Sequence, residues 1–190
     1  MSPHYFHPVY RTLTYLLPGS WYAMSVSIAP GITLSEGTFS IFIAPGDHLH
    51  RALATILRRQ RDETLYLCGN YPVLLTRLQE FASFFEVRRA LTAYQVLTIL
   101  DEAHHSFLIF EHDPTLFDDM TDLPCIIGQK CREYAATTGT VLLVASQPDR
   151  SLNFLEPSAH RVAFYQGETV PRMKPPIKKD TRQKTLEGFW

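Results

Sequence analysis

The chain has 190 residues, enough for one well-buried domain with a little left over for tails. Apolar residues make up 45% of it and aromatics 12%, which excludes an intrinsically disordered protein. Its 18 basic and 19 acidic residues nearly cancel, but six of the former and only two of the latter fall in Arg172 to Trp190, leaving 12 basic against 17 acidic in the rest. A net acidic body gives no electrostatic reason for tight sequence-independent DNA binding by the domain as a whole, so the expectation is a DNA contact that is indirect or weak.

In chain order, the first 29 residues are rich in aromatics (Tyr5, Phe6, Tyr10, Tyr15, Trp21, Tyr22) and read as an extension that packs against a sheet edge or a partner. From Pro30 onward, short apolar runs alternate with helical patterns, which predicts an α/β domain with a mostly parallel central sheet. Strands are expected at Phe39 to Ala44, Leu65 to Cys68, Ser106 to Glu111, Thr140 to Ser146 and Arg161 to Tyr165. Between them, Leu49, Leu53, Ile56 and Leu57 share one helical face, as do Leu123, Ile126, Ile127, Cys131 and Tyr134. Val73 to Phe85, opened by Pro72, and Ala90 to Ala103 read as two further helices. After Tyr165 the pattern breaks at Gly167, Pro171, Pro175 and Pro176, and lysines replace apolar residues. The division expected is therefore an extension at 1–29, a domain at 30–170, and a flexible basic linker with a terminal motif at 171–190.

Cys68, Cys125 and Cys131 form no paired framework, and the last two are not at a zinc-site spacing. They point to a reducing compartment, with Cys125 and Cys131 on the apolar side of their helix. No apolar run is long enough to span a bilayer, and no secretory signal is visible. The expectation is a cytoplasmic protein, nuclear if the source is eukaryotic, with no membrane partner.

The terminal motif is Gln183-Lys184-Thr185-Leu186-Glu187-Gly188-Phe189-Trp190. It resembles the PCNA-interacting peptide, or PIP box: a glutamine, two variable residues, an aliphatic residue, two variable residues and two aromatics. Gln183, Leu186, Phe189 and Trp190 fill all four anchor positions. The resemblance implies one turn of 3₁₀ helix that gathers Leu186, Phe189 and Trp190 into a plug for an apolar pocket on a PCNA-type sliding clamp. It implies that Gln183 fills a small polar side pocket, and that Lys178, Lys179 and Arg182 steer the tail toward an acidic clamp surface. Burial of each large apolar anchor contributes about 1.5 to 3 kcal/mol, and ordering a free tail costs several, so affinity of about 1 μM is expected.

The body, from about Pro30 to Gln166, resembles the archaeal RadA/RadB and KaiC branch of RecA-like domains. Gly31 to Gly37 lead into a strand, and Ala44-Pro45-Gly46-Asp47-His48-Leu49-His50-Arg51 open a helix where that family carries its phosphate loop. Such a loop needs glycines to wrap phosphate, a lysine to reach it, and a hydroxyl for magnesium. Here Pro45 and Gly46 remain, while His48, Leu49 and His50 stand where glycine, lysine and Ser/Thr belong, and Asp47 is placed to cap the helix with a carboxylate. Phe107 to Glu111 resembles the second nucleotide motif, with Glu111 at the magnesium-linked acid. Val141 to Gln147 resembles the later strand that ends in a polar residue. The catalytic glutamate expected after the second strand is absent, because Cys68-Gly69-Asn70 stands there. The resemblance thus implies a three-layer RecA-like domain, a pseudo-ATPase without cofactor.

Two other signals have plainer readings. Asp101-Glu102-Ala103-His104 spells a helicase DEAH box, but without a phosphate loop or a second such domain it reads as the polar end of a helix. His48, His50, Glu111, His112 and Asp113 are expected near adjacent strand ends, where open sheets bind ligands and where imidazole and carboxylate suit zinc, iron or manganese; they read instead as surface histidines and caps, with no metal. The leading expectation is a clamp-binding adaptor or regulator for DNA replication or repair, its body contacting a replication, repair or recombination protein. The alternatives are a divergent ATPase or metal-dependent DNA-processing enzyme recruited by the same tail, and a recombinase-paralogue mediator.

Overall fold

The computed structural model describes residues 11–14, 25–29, 31–59, 63–117 and 122–165. Nine strands lie among them: β1 (Arg11–Thr14), β2 (Ser25–Ala29), β3 (Ile32–Ser35), β4 (Phe39–Ile43), β5 (Thr64–Cys68), β6 (Phe85–Arg89), β7 (Phe107–Glu111), β8 (Thr140–Ala145) and β9 (Arg161–Phe164). Seven form one sheet in the order β1-β9-β4-β8-β7-β5-β6, in which every neighbouring pair is parallel except β1 with β9. β2 and β3 form a separate hairpin, whose turn uses Gly31 at φ 75°, a conformation L side chains rarely adopt.

All five expected strands are present. β4, β5, β7 and β8 are buried along their whole length because helices cover both faces, which explains why they read as unbroken apolar runs. On one face α2 (Ala93–Glu102), α3 (Leu123–Thr137) and α4 (Arg150–Leu155) close over Ile41, Leu67, Leu108, Phe110 and Leu143. On the other, α1 (Gly46–Arg59), the 3₁₀ segment Leu75–Phe84 and the β2–β3 hairpin close over Phe42, Tyr66, Ile109 and Val144. The result is a three-layer α/β domain with a mostly parallel central sheet.

Leu49, Leu53, Ile56 and Leu57 of α1 are all buried, as their spacing predicts. In α3 the buried stripe is Leu123, Ile127, Cys131 and Tyr134, and Ile126 is exposed, contrary to expectation. Each residue advances about 100° around a helix, so Ile126 falls off the stripe and Cys125 stands opposite it, equally exposed. Val73 to Phe85 is not an α-helix but 3₁₀ turns with a kink at Leu78, followed directly by the unanticipated strand β6. α2 begins three residues later than its pattern predicts, at Ala93, where the Thr92 side chain accepts from the Gln95 N–H. It ends at Glu102, so Asp101 and Glu102 are indeed a polar helix end, paired with Lys130 at 2.5 Å and Arg88 at 3.0 Å.

Candidate functional site at the carboxyl edge of the sheet

The carboxyl ends of β4, β5, β7 and β8 open onto one edge, the place where open α/β sheets bind ligands. The connection from β4 to α1 is only Ala44 and Pro45. Ala44 is pinned to the Ala145 carbonyl at 3.1 Å, and the Pro45 carbonyl accepts the N–H groups of His48 and Leu49 at 2.8 and 3.1 Å. The chain therefore turns straight from strand into helix, with no loop to wrap a phosphate.

Asp47 does not cap α1. It lies inside the first turn, and its carboxylate reaches sideways to the Arg77 guanidinium at 2.6 Å, whose hydrogen bond and charge hold it below the usual carboxylate range. The neighbouring His50 ring bonds the Arg77 carbonyl at 3.1 Å. His48 packs on the Tyr165 ring, with centroids 4.3 Å apart. Leu49, in the lysine position, is fully buried against the sheet. The residues at the start of α1 thus hold it to its neighbours.

Glu111, at the end of β7, is buried and fully bonded. Its Oε2 accepts from the Tyr66 hydroxyl at 2.7 Å, and its Oε1 accepts from the backbone N–H groups of Val73 and Leu74 at 2.6 and 2.8 Å. Burial, then the charge and hydrogen bond of Glu111, push the Tyr66 phenol far above its ordinary value, so it stays a donor. The carboxylate closes the segment that follows β5 onto the sheet.

Asp113 repeats the device two residues on. Its carboxylate accepts from the Tyr71 N–H at 3.1 Å and from the Thr115 N–H and hydroxyl at 3.0 and 2.7 Å. Burial works against its ionisation, but these bonds and one from the Asn70 backbone hold it below its ordinary value. Gly69 lies so close that a Cβ there would be 2.5 Å from Asp113.

His112, between them, points to the opposite face. Its Nε2 lies 2.6 Å from Asp149 Oδ2 and 3.2 Å from the Ser151 hydroxyl, and its ring stacks on Phe117. Asp149 caps α4 through the Leu152 N–H at 2.9 Å and accepts from Ser151 at 2.7 Å. Burial opposes its charge, but His112, Leu152 and Ser151 outweigh that and hold the carboxyl far down. Acid and hydroxyl meet the same imidazole nitrogen, so this trio is not the relay of a hydrolase, which needs one on each nitrogen. His112 Nδ1 is buried with no partner among the described residues.

The expected cluster therefore divides: His48 and His50 turn to Tyr165 and Arg77, Glu111 and Asp113 bind backbone, and His112 faces Asp149. Among the described residues no three His, Cys, Asp or Glu side chains converge as metal ligands, and no helix is long and apolar enough to cross a membrane. Sequence reading missed Tyr66, Asp149 and Ser151. Asp149 alone had a visible signal, an acid just before a short helical run. Gln183, Leu186, Phe189 and Trp190, and upstream Lys178, Lys179 and Arg182, lie outside the described residues, as do the aromatics at 5, 6, 10, 15, 21 and 22.

No family model matches the chain. Over 115 residues it is 30% identical to an uncharacterized protein of Archaeoglobus fulgidus, a match covering 58% of this chain and 56% of that protein. The chain thus spans little more than half the length of this relative.

Proposed function

We propose that this chain is an accessory protein of a PCNA-type sliding clamp, an adaptor or regulator in DNA replication or repair. It docks through Gln183, Leu186, Phe189 and Trp190 and presents a RecA-like body that does not hydrolyse ATP. The observation that carries the docking half is the occupancy of all four PIP-box anchors behind a proline-broken basic linker.

Geometry supports the second half. The strand that leads into the degenerate loop, β4, and the strand that ends in Glu111, β7, are separated by β8 alone, with all three loops on one edge. The order is neither of the two common doubly-wound orders, in which the first strand sits beside the second. The two-residue turn at Ala44-Pro45, buried Leu49 and the occupied carboxylate of Glu111 support this half, because among the described residues at this edge none of the three offers a nucleoside triphosphate a cradle, a lysine or a free acid.

The test is calorimetric titration of the full chain, and of a Phe189→Ala/Trp190→Ala variant, into a PCNA-type clamp. Binding of about 1 μM that is lost in the variant is expected; a wild-type chain that fails to bind overturns the docking half. Saturable, magnesium-dependent ATP turnover by the wild type overturns the pseudo-ATPase half.

A further inference from the structure

The sheet ends at β6, and no described strand lies beyond it. Proteins blunt such edges with short strands, charged side chains, prolines or bulges; Phe85-Glu86-Val87-Arg88-Arg89 has neither proline nor bulge, and its charges Glu86 and Arg88, on one face, are of opposite sign. The Ala90 N–H bonds the Cys68 carbonyl of β5 at 2.9 Å. Backbone groups alternate in direction along a strand, so Glu86 and Arg88 also turn theirs toward β5. Phe85, Val87 and Arg89 therefore turn N–H and C=O outward, to the open edge.

Exposed apolar side chains border this edge on both sides. Val87 is 45% exposed and shares its face with Phe84, also exposed, while Leu91 and Tyr94 stand exposed at the start of α2. On the α2 side lie Glu86 and Arg88, the latter 3.0 Å from Glu86 and from Glu102.

We propose that β6 is a self-association edge, pairing antiparallel with β6 of a second copy about a two-fold axis through Val87. The sequence of β6 is self-complementary in that register. Val87 faces its own copy as a hydrogen-bonded pair, Phe85 faces Arg89, and about six backbone hydrogen bonds form, each residue pair exchanging two. On the α2 side Glu86 stands opposite Arg88 of the second copy, and Arg88 opposite its Glu86, so both cross-strand pairs join unlike charges. A slide of two residues, the next that keeps outward-facing backbone groups opposed, puts Arg88 against Arg88 or Glu86 against Glu86, which selects the register. The isologous contact joins two seven-stranded sheets into one. It stands independently of the terminal tail.

The experiment is sedimentation velocity of the full chain at about 5 to 100 μM, a range in which modest interfaces assemble, with three variants. The wild type is expected to be dimeric. Val87→Pro removes an outward N–H without touching the β5 ladder and is expected to weaken the dimer at least tenfold. Glu86→Arg and Arg88→Glu, each alone, set like charges face to face and are expected to be monomeric, whereas an equimolar mixture of the two restores unlike pairs and the dimer. A monomeric wild type overturns the proposal, as does a dimer that survives both charge variants or a mixture that stays monomeric.

Discussion

Glu111 and Val73 meet at 2.6 Å, carboxylate to backbone N–H, 38 residues apart in the chain, while the other oxygen of Glu111 holds the Tyr66 hydroxyl at 2.7 Å. Glu111→Ala would leave a buried hydroxyl and two backbone donors unpaired, each costing about 1 to 3 kcal/mol. The expected loss is about 3 kcal/mol or more, lowering Tm by about 10 °C for a chain of this size. Glu111→Gln keeps an acceptor for the two N–H groups and should lose less than half as much. Equal stability of wild type and alanine variant in thermal denaturation would contradict the bonding described.

Acid should destabilise the fold through Asp113 and Asp149. Both carboxyls are held below their ordinary value in the native state, so the unfolded chain takes up protons first as pH falls. Their stabilisation is complete above about pH 5, beyond the unfolded Asp value near 3.9, and drains away as pH falls through the depressed native values. Urea midpoints measured from pH 7 down to pH 3 should decline, and Asp149→Asn should begin lower and fall less steeply. A parallel decline in wild type and variant would remove Asp149 from this account.

Supplying at position 49 the lysine that a phosphate loop requires should not confer nucleotide binding. Leu49 is fully buried, and an ammonium placed there loses its hydration, at a cost of several kcal/mol. Leu49→Lys is expected to lower Tm by about 10 °C, a loss of about 3 kcal/mol, and to bind a fluorescent ATP analogue no better than wild type. Gain of binding by this single change would show the connection to be longer and freer than Ala44-Pro45 allows.

Thiol chemistry should separate the three cysteines. Cys125 is exposed, whereas Cys68 and Cys131 are buried, and burial pushes their thiols up, that of Cys131 to about 12. A disulfide-exchange reagent at neutral pH is expected to titrate Cys125 in the native protein and all three in denaturant. Rapid native labelling of Cys131 would place α3 differently.

Four of the five strands that could be read in advance share one property: helices cover both of their faces, so burial wrote itself as a run of apolar residues. β6 had no such signature. It is covered on one edge only, and Glu86, Arg88 and Arg89 read as surface rather than strand. The stretch before it misled for another reason, since Leu74, Leu78 and Phe81 recur at spacings that α and 3₁₀ turns share. Glu111 and Asp113 were visible as acids at the ligand edge, but their bonding partners are backbone groups on a segment about 40 residues away. Sequence carries no mark of that pairing.

Gly69 ends β5's covering turn against the side of Asp113, with no room for even a methyl group. The resemblance to RecA-like ATPases expects a catalytic glutamate directly after this strand. A glutamate at position 69 would displace Asp113, and with it the bonds that fix Tyr71 and Thr115. A glutamate there is therefore expected to destabilise the fold unless Asp113 gives way. The same contact constrains drift: sequence change after β5 must leave position 69 without a side chain for as long as Asp113 holds Tyr71 and Thr115.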